Sequence, residues 1–192
     1  KRKSLDNWKA RVGAQTAERI KNISAMRGTS MHTYLEGYLT DQKHLDLTAL
    51  GQEAGKMADI VIRSGLGDLE EVWGTEVTLF YPGLYAGATD AVGIYNGRES
   101  IIDFKQTNKP KQREWIGDYF TQLAAYAMAH NHVYGTNIQS GIILMCSKDG
   151  YFQKFEVLDK EFQGYMHTFL KKVDQYYKNC TKNPDDKNTG ND

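Results

Sequence analysis

The sequence predicts an α/β fold, a sheet covered by helices, and three observations carry that reading. Apolar spacing is near 3.6 in the N-terminal third, changes to 2 at about residue 72, and later returns to helical spacing. Strand-like segments alternate with long amphipathic ones, the order expected of one α/β core. The chain has 192 residues, 40% of them hydrophobic and only three of them proline, so it can bury a sizeable core. Residues 1–180 read as one domain. The tail at 181–192, dominated by Asn, Asp, Lys and Gly, reads as disordered.

The elements follow in order. Leu5, Trp8, Val12 and Ile20 recur at near-helical spacing across residues 5–23, interrupted at Gly13. Thr29 or Ser30 can cap a second helix running through His32, Leu35 and Leu39. Leu50, Ala54, Met57, Ala58 and Val61 mark a third over 47–63, stopped by Gly65-Leu66-Gly67-Asp68. Trp73, Val77, Leu79 and Tyr81 then alternate along a strand at 72–81. A second strand covers 85–95 and is closed by Asn96-Gly97, a hairpin signal, and a third covers 98–105. Residues 112–131 form a long amphipathic helix. The continuous apolar run at 138–146 suits a strand covered on both faces. Lys148-Asp149-Gly150 turns it into a short strand at 151–157. Phe162, Tyr165, Met166, Phe169, Leu170 and Val173 mark the last helix, 160–179.

Charge and cysteine content narrow the function. Lys plus Arg and Asp plus Glu each total 24, which excludes a polybasic DNA-coating protein and an acidic solvating chain. A nucleic-acid enzyme remains open, because local carboxylates and local basic groups cancel in the sum. Cys146 and Cys180 are too few for a disulfide framework or a cysteine-held zinc or iron–sulfur site. No run approaches the ~18 apolar residues of a membrane span, and Lys1-Arg2-Lys3 is followed by no apolar signal segment. No membrane partner is expected, and an intracellular location is.

The chemistry concentrates in the central hairpin. Alternation puts Ala86, Ala88, Asp90, Val92 and Ile94 on one face, where an aspartate calls for a partner or a cation. Ile101, Asp103 and Lys105 share a face of the next strand, and the hairpin can bring Asp90 close to both polar groups. Two converging carboxylates are hard oxygen ligands suited to Mg²⁺ or Mn²⁺, with Lys105 placed to orient or deprotonate a water. A cross-strand salt bridge is the plain alternative. Glu76 is either a third acid or a solvated strand residue. Trp115, Tyr119, Gln122 and Tyr126 form one helical stripe, in which a glutamine suggests a hydrogen-bonding task. His32, alone on its helix, is a structural histidine or a ligand.

These motifs in this order, Gly28-x-x-x-His32, Gly87-x-x-Asp90, Asp103-Phe104-Lys105 and Gln122-x-x-x-Tyr126, resemble the PD-(D/E)XK nucleases, nearest to their RecB-like branch. The resemblance covers residues 5–178. It implies a restriction-endonuclease-like core, a mixed sheet flanked by helices with an N-terminal helical part. It implies that Asp90, Asp103 and the backbone carbonyl of Phe104 bind Mg²⁺ or Mn²⁺, with His32 near the ion and Glu76 a further candidate. Lys105 matches the catalytic lysine, and Gln122 and Tyr126 line the site. The family's signature proline is absent, since Thr89 precedes Asp90, and so is the cysteine cluster of some relatives, so no iron–sulfur cluster is expected.

The implied activity is hydrolysis of DNA phosphodiesters, as an exonuclease on single-stranded DNA in replication, repair or recombination. An inactive nucleic-acid-binding module and an endonuclease on duplex or branched DNA are the rivals. Similar single-domain exonucleases occur in phages, so a phage-infected cytoplasm and a mitochondrion are both possible settings. Lys109, Lys111 and Arg113 can contact phosphates, and Trp115, Tyr119 or Tyr34 can stack on unpaired bases. Otherwise the lysines are merely solvated and the aromatics are core. Protein partners cannot be read.

Overall fold

A computed structural model describes residues 2–182. Gly13 takes φ 85° and divides the N-terminal helical sequence into α1 (Arg2–Val12) and α2 (Ala14–Leu39). The expected break between residues 23 and 29 is absent, and α2 runs straight through Thr29 and Ser30. The remaining elements are α3 (Ala49–Gly65), β1 (Leu69–Tyr81), β2 (Tyr85–Tyr95), β3 (Arg98–Thr107), α4 (Gly117–Tyr134), β4 (Ser140–Ser147), β5 (Phe152–Leu158) and α5 (Asp159–Lys182). The strands form a mixed five-stranded sheet in the order β1-β2-β3-β4-β5. α5 extends through Lys182, past the end expected at 179, and residues 183–192 of the expected tail lie outside the described residues. Among the described residues no helix is long and apolar enough to cross a membrane.

Contacts divide the chain into two compact units. One holds α1, α2 and α3 with residues 104–110 and 143–154. In it, Thr48 caps α3 by accepting a hydrogen bond from the Gly51 amide at 3.0 Å, satisfying a donor the helix leaves open. α3 buries Ala54, Met57, Ala58 and Val61 at helical spacing, α2 buries Met31 and Leu35, and the two helices pack together. Each fully buried Met or Leu contributes about 1.5–3 kcal/mol of apolar transfer.

The other unit holds residues 70–103, 111–142 and the chain from 155 onward. Asn96 (φ 49°) and Gly97 (φ 72°) both take the left-handed conformation a tight two-residue hairpin requires, and Gly97 does so without steric cost. They set an antiparallel register in which Ala91 pairs with Ile102, Val92 with Ile101 and Gly93 with Ser100. α4 packs on β2 and buries Phe120, Leu123, Ala124 and Ala127.

α4 begins at Gly117, not 112. Arg113–Trp115 form a 3₁₀ turn instead, so Trp115 falls outside the stripe expected to contain it and is 53% exposed. The Arg113 guanidinium holds that turn. It donates to both Glu161 carboxylate oxygens at 2.9 Å and to the Glu156 carbonyl at 2.8 Å, and lies 4.8 Å from the Phe120 ring.

Candidate active site

The β2–β3 register, carried one residue past Ala91–Ile102, sets Asp90 across from Asp103 on the neighbouring strand. Residues directly opposed in an antiparallel pair project to the same face of the sheet. Asp103 is buried at 4% exposure and Asp90 is half-buried. Alternation along β3 returns Lys105 to the face of Asp103 and sends Phe104, also buried, to the other. The continuous apolar face expected around Asp90 is not found. Ala86 and Ala88 are exposed while Val92 is buried, so Asp90 stands where the face passes from solvent to core. The desolvation cost of its charge is smaller there than in an apolar interior.

β1 supplies a third acid. Glu76 is one of four non-glycine residues with positive φ among those described, at φ 47°. Strain of this kind in a β-strand is uncommon and concentrates at functional positions. Its carboxylate lies within 4.8 Å of that of Asp90. Asp103 is not part of this close group. Oxygens bound to one octahedral Mg²⁺ lie about 2.9 Å apart in cis and about 4.2 Å in trans, from metal–oxygen distances of ~2.0–2.1 Å. A small side-chain rotation therefore brings Glu76 and Asp90 onto a common cation. Two carboxylates this close repel, and a divalent cation removes that repulsion. The donor set fits a hard divalent ion.

His32, in the unit of the N-terminal helices, is half-buried and meets the Phe104 ring edge-on at 6.2 Å. The same unit contains a feature missed in the sequence. Arg27 is 2% exposed, and its guanidinium donates to Gln106 Oε1 at 3.0 Å, to Glu53 Oε1 at 3.2 Å and to Asn108 Oδ1. Gln106 in turn donates to the Ser24 carbonyl at 2.9 Å. The signal was present in the spacing: Arg27, Met31 and Leu35 are four apart, and all three are buried.

Gln122 and Tyr126 act as one group, Gln122 Nε2 donating to Tyr126 Oη at 2.7 Å. The glycine of Gly87-x-x-Asp90 makes room for them. A Cβ on Gly87 would lie 2.6 Å from Tyr126 Cε1, closer than atoms pack. Of the expected phosphate contacts, Lys109 is exposed, Lys111 is half-buried, and Arg113 is held by Glu161.

No family model matches the chain. It is 28% identical over 182 residues to mitochondrial genome maintenance exonuclease 1 of Mus musculus, covering 90% of this chain and 53% of that protein. To the Homo sapiens protein of the same name it is 27% identical over 191 residues, covering 90% and 52%. The chain thus spans about half the length of the curated relatives it matches. Among solved structures it resembles a candidate exonuclease from Eubacterium rectale, with TM-score 0.58 and 14% identity over 81% of this chain and 66% of that one. That second likeness is one of fold. Together they bear out the resemblance to PD-(D/E)XK exonucleases that the motifs carry.

Proposed function

We propose that this chain is a divalent-metal-dependent deoxyribonuclease acting as an exonuclease on single-stranded DNA. The observation that carries the reading is the approach of Glu76 and Asp90 to within 4.8 Å, beside a hairpin whose register opposes Asp90 with Asp103. The named relatives support it. Asp90, Asp103, Glu76, His32 and the Phe104 carbonyl would hold Mg²⁺ or Mn²⁺. When bound, such an ion lowers the pKa of a coordinated water and offsets charge on the scissile phosphate.

The chain's own groups complete the chemistry. Lys105, on the Asp103 face of β3, orients the attacking water through its ammonium Nζ and stabilises the added charge on the phosphoryl oxygens. The water oxygen forms the new bond to phosphorus as the bond to the leaving sugar oxygen breaks, the water's proton passing to bulk solvent and the leaving oxygen taking a proton from solvent. Gln122 and Tyr126 steady the strand. Lys109 and Lys111 neutralise neighbouring phosphates, Trp115 offers an exposed face to a base, and Arg113 joins them by exchanging Glu161 for phosphate.

The test uses end-labelled linear single-stranded DNA and the same sequence circularised, with Mg²⁺ or Mn²⁺. The wild-type chain is expected to degrade the linear strand and spare the circle. Lys105→Ala is expected to remain folded and bind DNA while cleavage falls at least about 100-fold. Cleavage of the circle would favour the endonuclease reading. Wild-type binding without cleavage would favour the inactive module, and metal-dependent cutting by Lys105→Ala would remove the lysine from its role.

A further inference from the structure

Where β2 begins, Tyr85 and Ala86 border a cleft of about 300 Å³ completed by α4 and α5. Its walls are aromatic, formed by Tyr85, Tyr126 and Phe169. Tyr85 is fixed before any ligand arrives: its hydroxyl donates to the Ala125 carbonyl at 2.8 Å, and its ring meets Phe169 edge-on at 4.6 Å. Burial pushes the Tyr85 phenol pKa well up, so the hydroxyl stays a donor.

The polar groups stand at one side. Gln122 is exposed and lines the cleft with its planar amide. The Thr121 hydroxyl is already turned to the Gly117 carbonyl at 2.9 Å. Lys172 and Asp118 form an exposed pair at 3.4 Å, the kind of contact worth little and easily exchanged. The complementary ligand is flat, carries a hydrogen-bonding edge and has a negative charge nearby. That describes a nucleotide. The volume lies at the low end of the ~300–1,000 Å³ typical of small-molecule sites, enough for one such group.

We propose that this cleft seats one unpaired base of the strand being cut, stacked on the aromatic wall, with Lys172 exchanging Asp118 for the adjoining phosphate. The proposal rests on reading the Asp90 centre as a DNA-hydrolysing site and assigns that site a base-holding subsite. Ala86 precedes Asp90 by four residues, about 13 Å along a strand, so the seated base is displaced from the scissile bond.

The experiment measures binding in EDTA, where no hydrolysis competes, using fluorescein-labelled oligo-dT and an abasic oligonucleotide of equal length. Phe169→Leu removes an aromatic face of the cleft while keeping apolar bulk, and Phe169→Ala removes the face and the bulk together. Both are first checked for a wild-type circular dichroism spectrum. The dissociation constant for oligo-dT is expected to rise severalfold in Phe169→Leu and about tenfold in Phe169→Ala, the loss of one stacked base. Affinity for the abasic strand is expected to stay at the wild-type value. Unchanged oligo-dT affinity in both variants overturns the proposal, as does equal weakening toward the abasic strand or no binding of either strand by the wild type. Base-dependent binding by a wild-type chain that cleaves nothing with Mg²⁺ or Mn²⁺ sustains the cleft and refutes the nuclease reading alone.

Discussion

Gly87 shows how closely one residue's size is tied to the candidate site. Tyr126 Cε1 occupies the place a Cβ would need, at 2.6 Å, and the same tyrosine accepts the Gln122 amide at 2.7 Å. Gly87→Ala must therefore push the ring aside. The expected cost is about 1–3 kcal/mol, read as a lower midpoint in urea. Gly164→Ala, on α5 with nothing within 4 Å, is the control and is expected to stabilise by about 0.5–1 kcal/mol. Both motifs were legible in the sequence as separate patterns. Their contact was not, because a strand glycine and a helix tyrosine so far apart along the chain are joined only by the packing of α4 on β2.

At the scale of elements, α2 departs most from its local signals. Thr29 and Ser30 are good caps, yet they sit inside an unbroken helix in which Thr33 Oγ1 donates to the Thr29 carbonyl at 3.1 Å. The buried Arg27, anchored to Glu53 on α3 and to Gln106 and Asn108, pins the middle of the helix where those residues would otherwise start one. Tertiary contact outweighs capping propensity of roughly 1 kcal/mol. Arg27→Met strips one carboxylate and two amide oxygens of their donor, and is expected to destabilise by about 3 kcal/mol in chemical denaturation. Arg27→Lys should recover only part of that, because an ammonium cannot reproduce the three-way fork. An unchanged denaturation midpoint in Arg27→Met would show the network to be incidental. The hairpin is the opposite case. Asn96-Gly97 fixes its turn from two residues, so the β2–β3 register was readable in advance.

For the molecule as a whole, a formal net charge of zero leaves no general attraction for a polyanion. Binding must then come from a few local cations, and its dependence on salt should be shallow. Lys109→Ala and Lys111→Ala are each expected to flatten the plot of log affinity against log salt by about 0.7, the increment for one phosphate contact on a single strand. A slope unchanged in both variants would remove these lysines from the interface. The alternation of helices and strands, and the switch from one spacing to the other, made the α/β class legible at this scale. The offset start of α4 was hidden, because the Arg113–Glu161 pair that holds the preceding turn joins residues far apart in the chain.

β1 is an outer strand of the sheet, 13 residues long, with Val72, Trp73 and Phe80 exposed. A lateral strand of that length and apolarity is a ready template for strands of other chains. The left-handed Glu76 interrupts its pleat midway, and Glu70, Glu71 and Glu76 stud it with exposed negative charge. The kink that carries a carboxylate toward Asp90 thus also guards against cross-chain pairing, so straightening β1 would invite self-association as well as withdraw that acid.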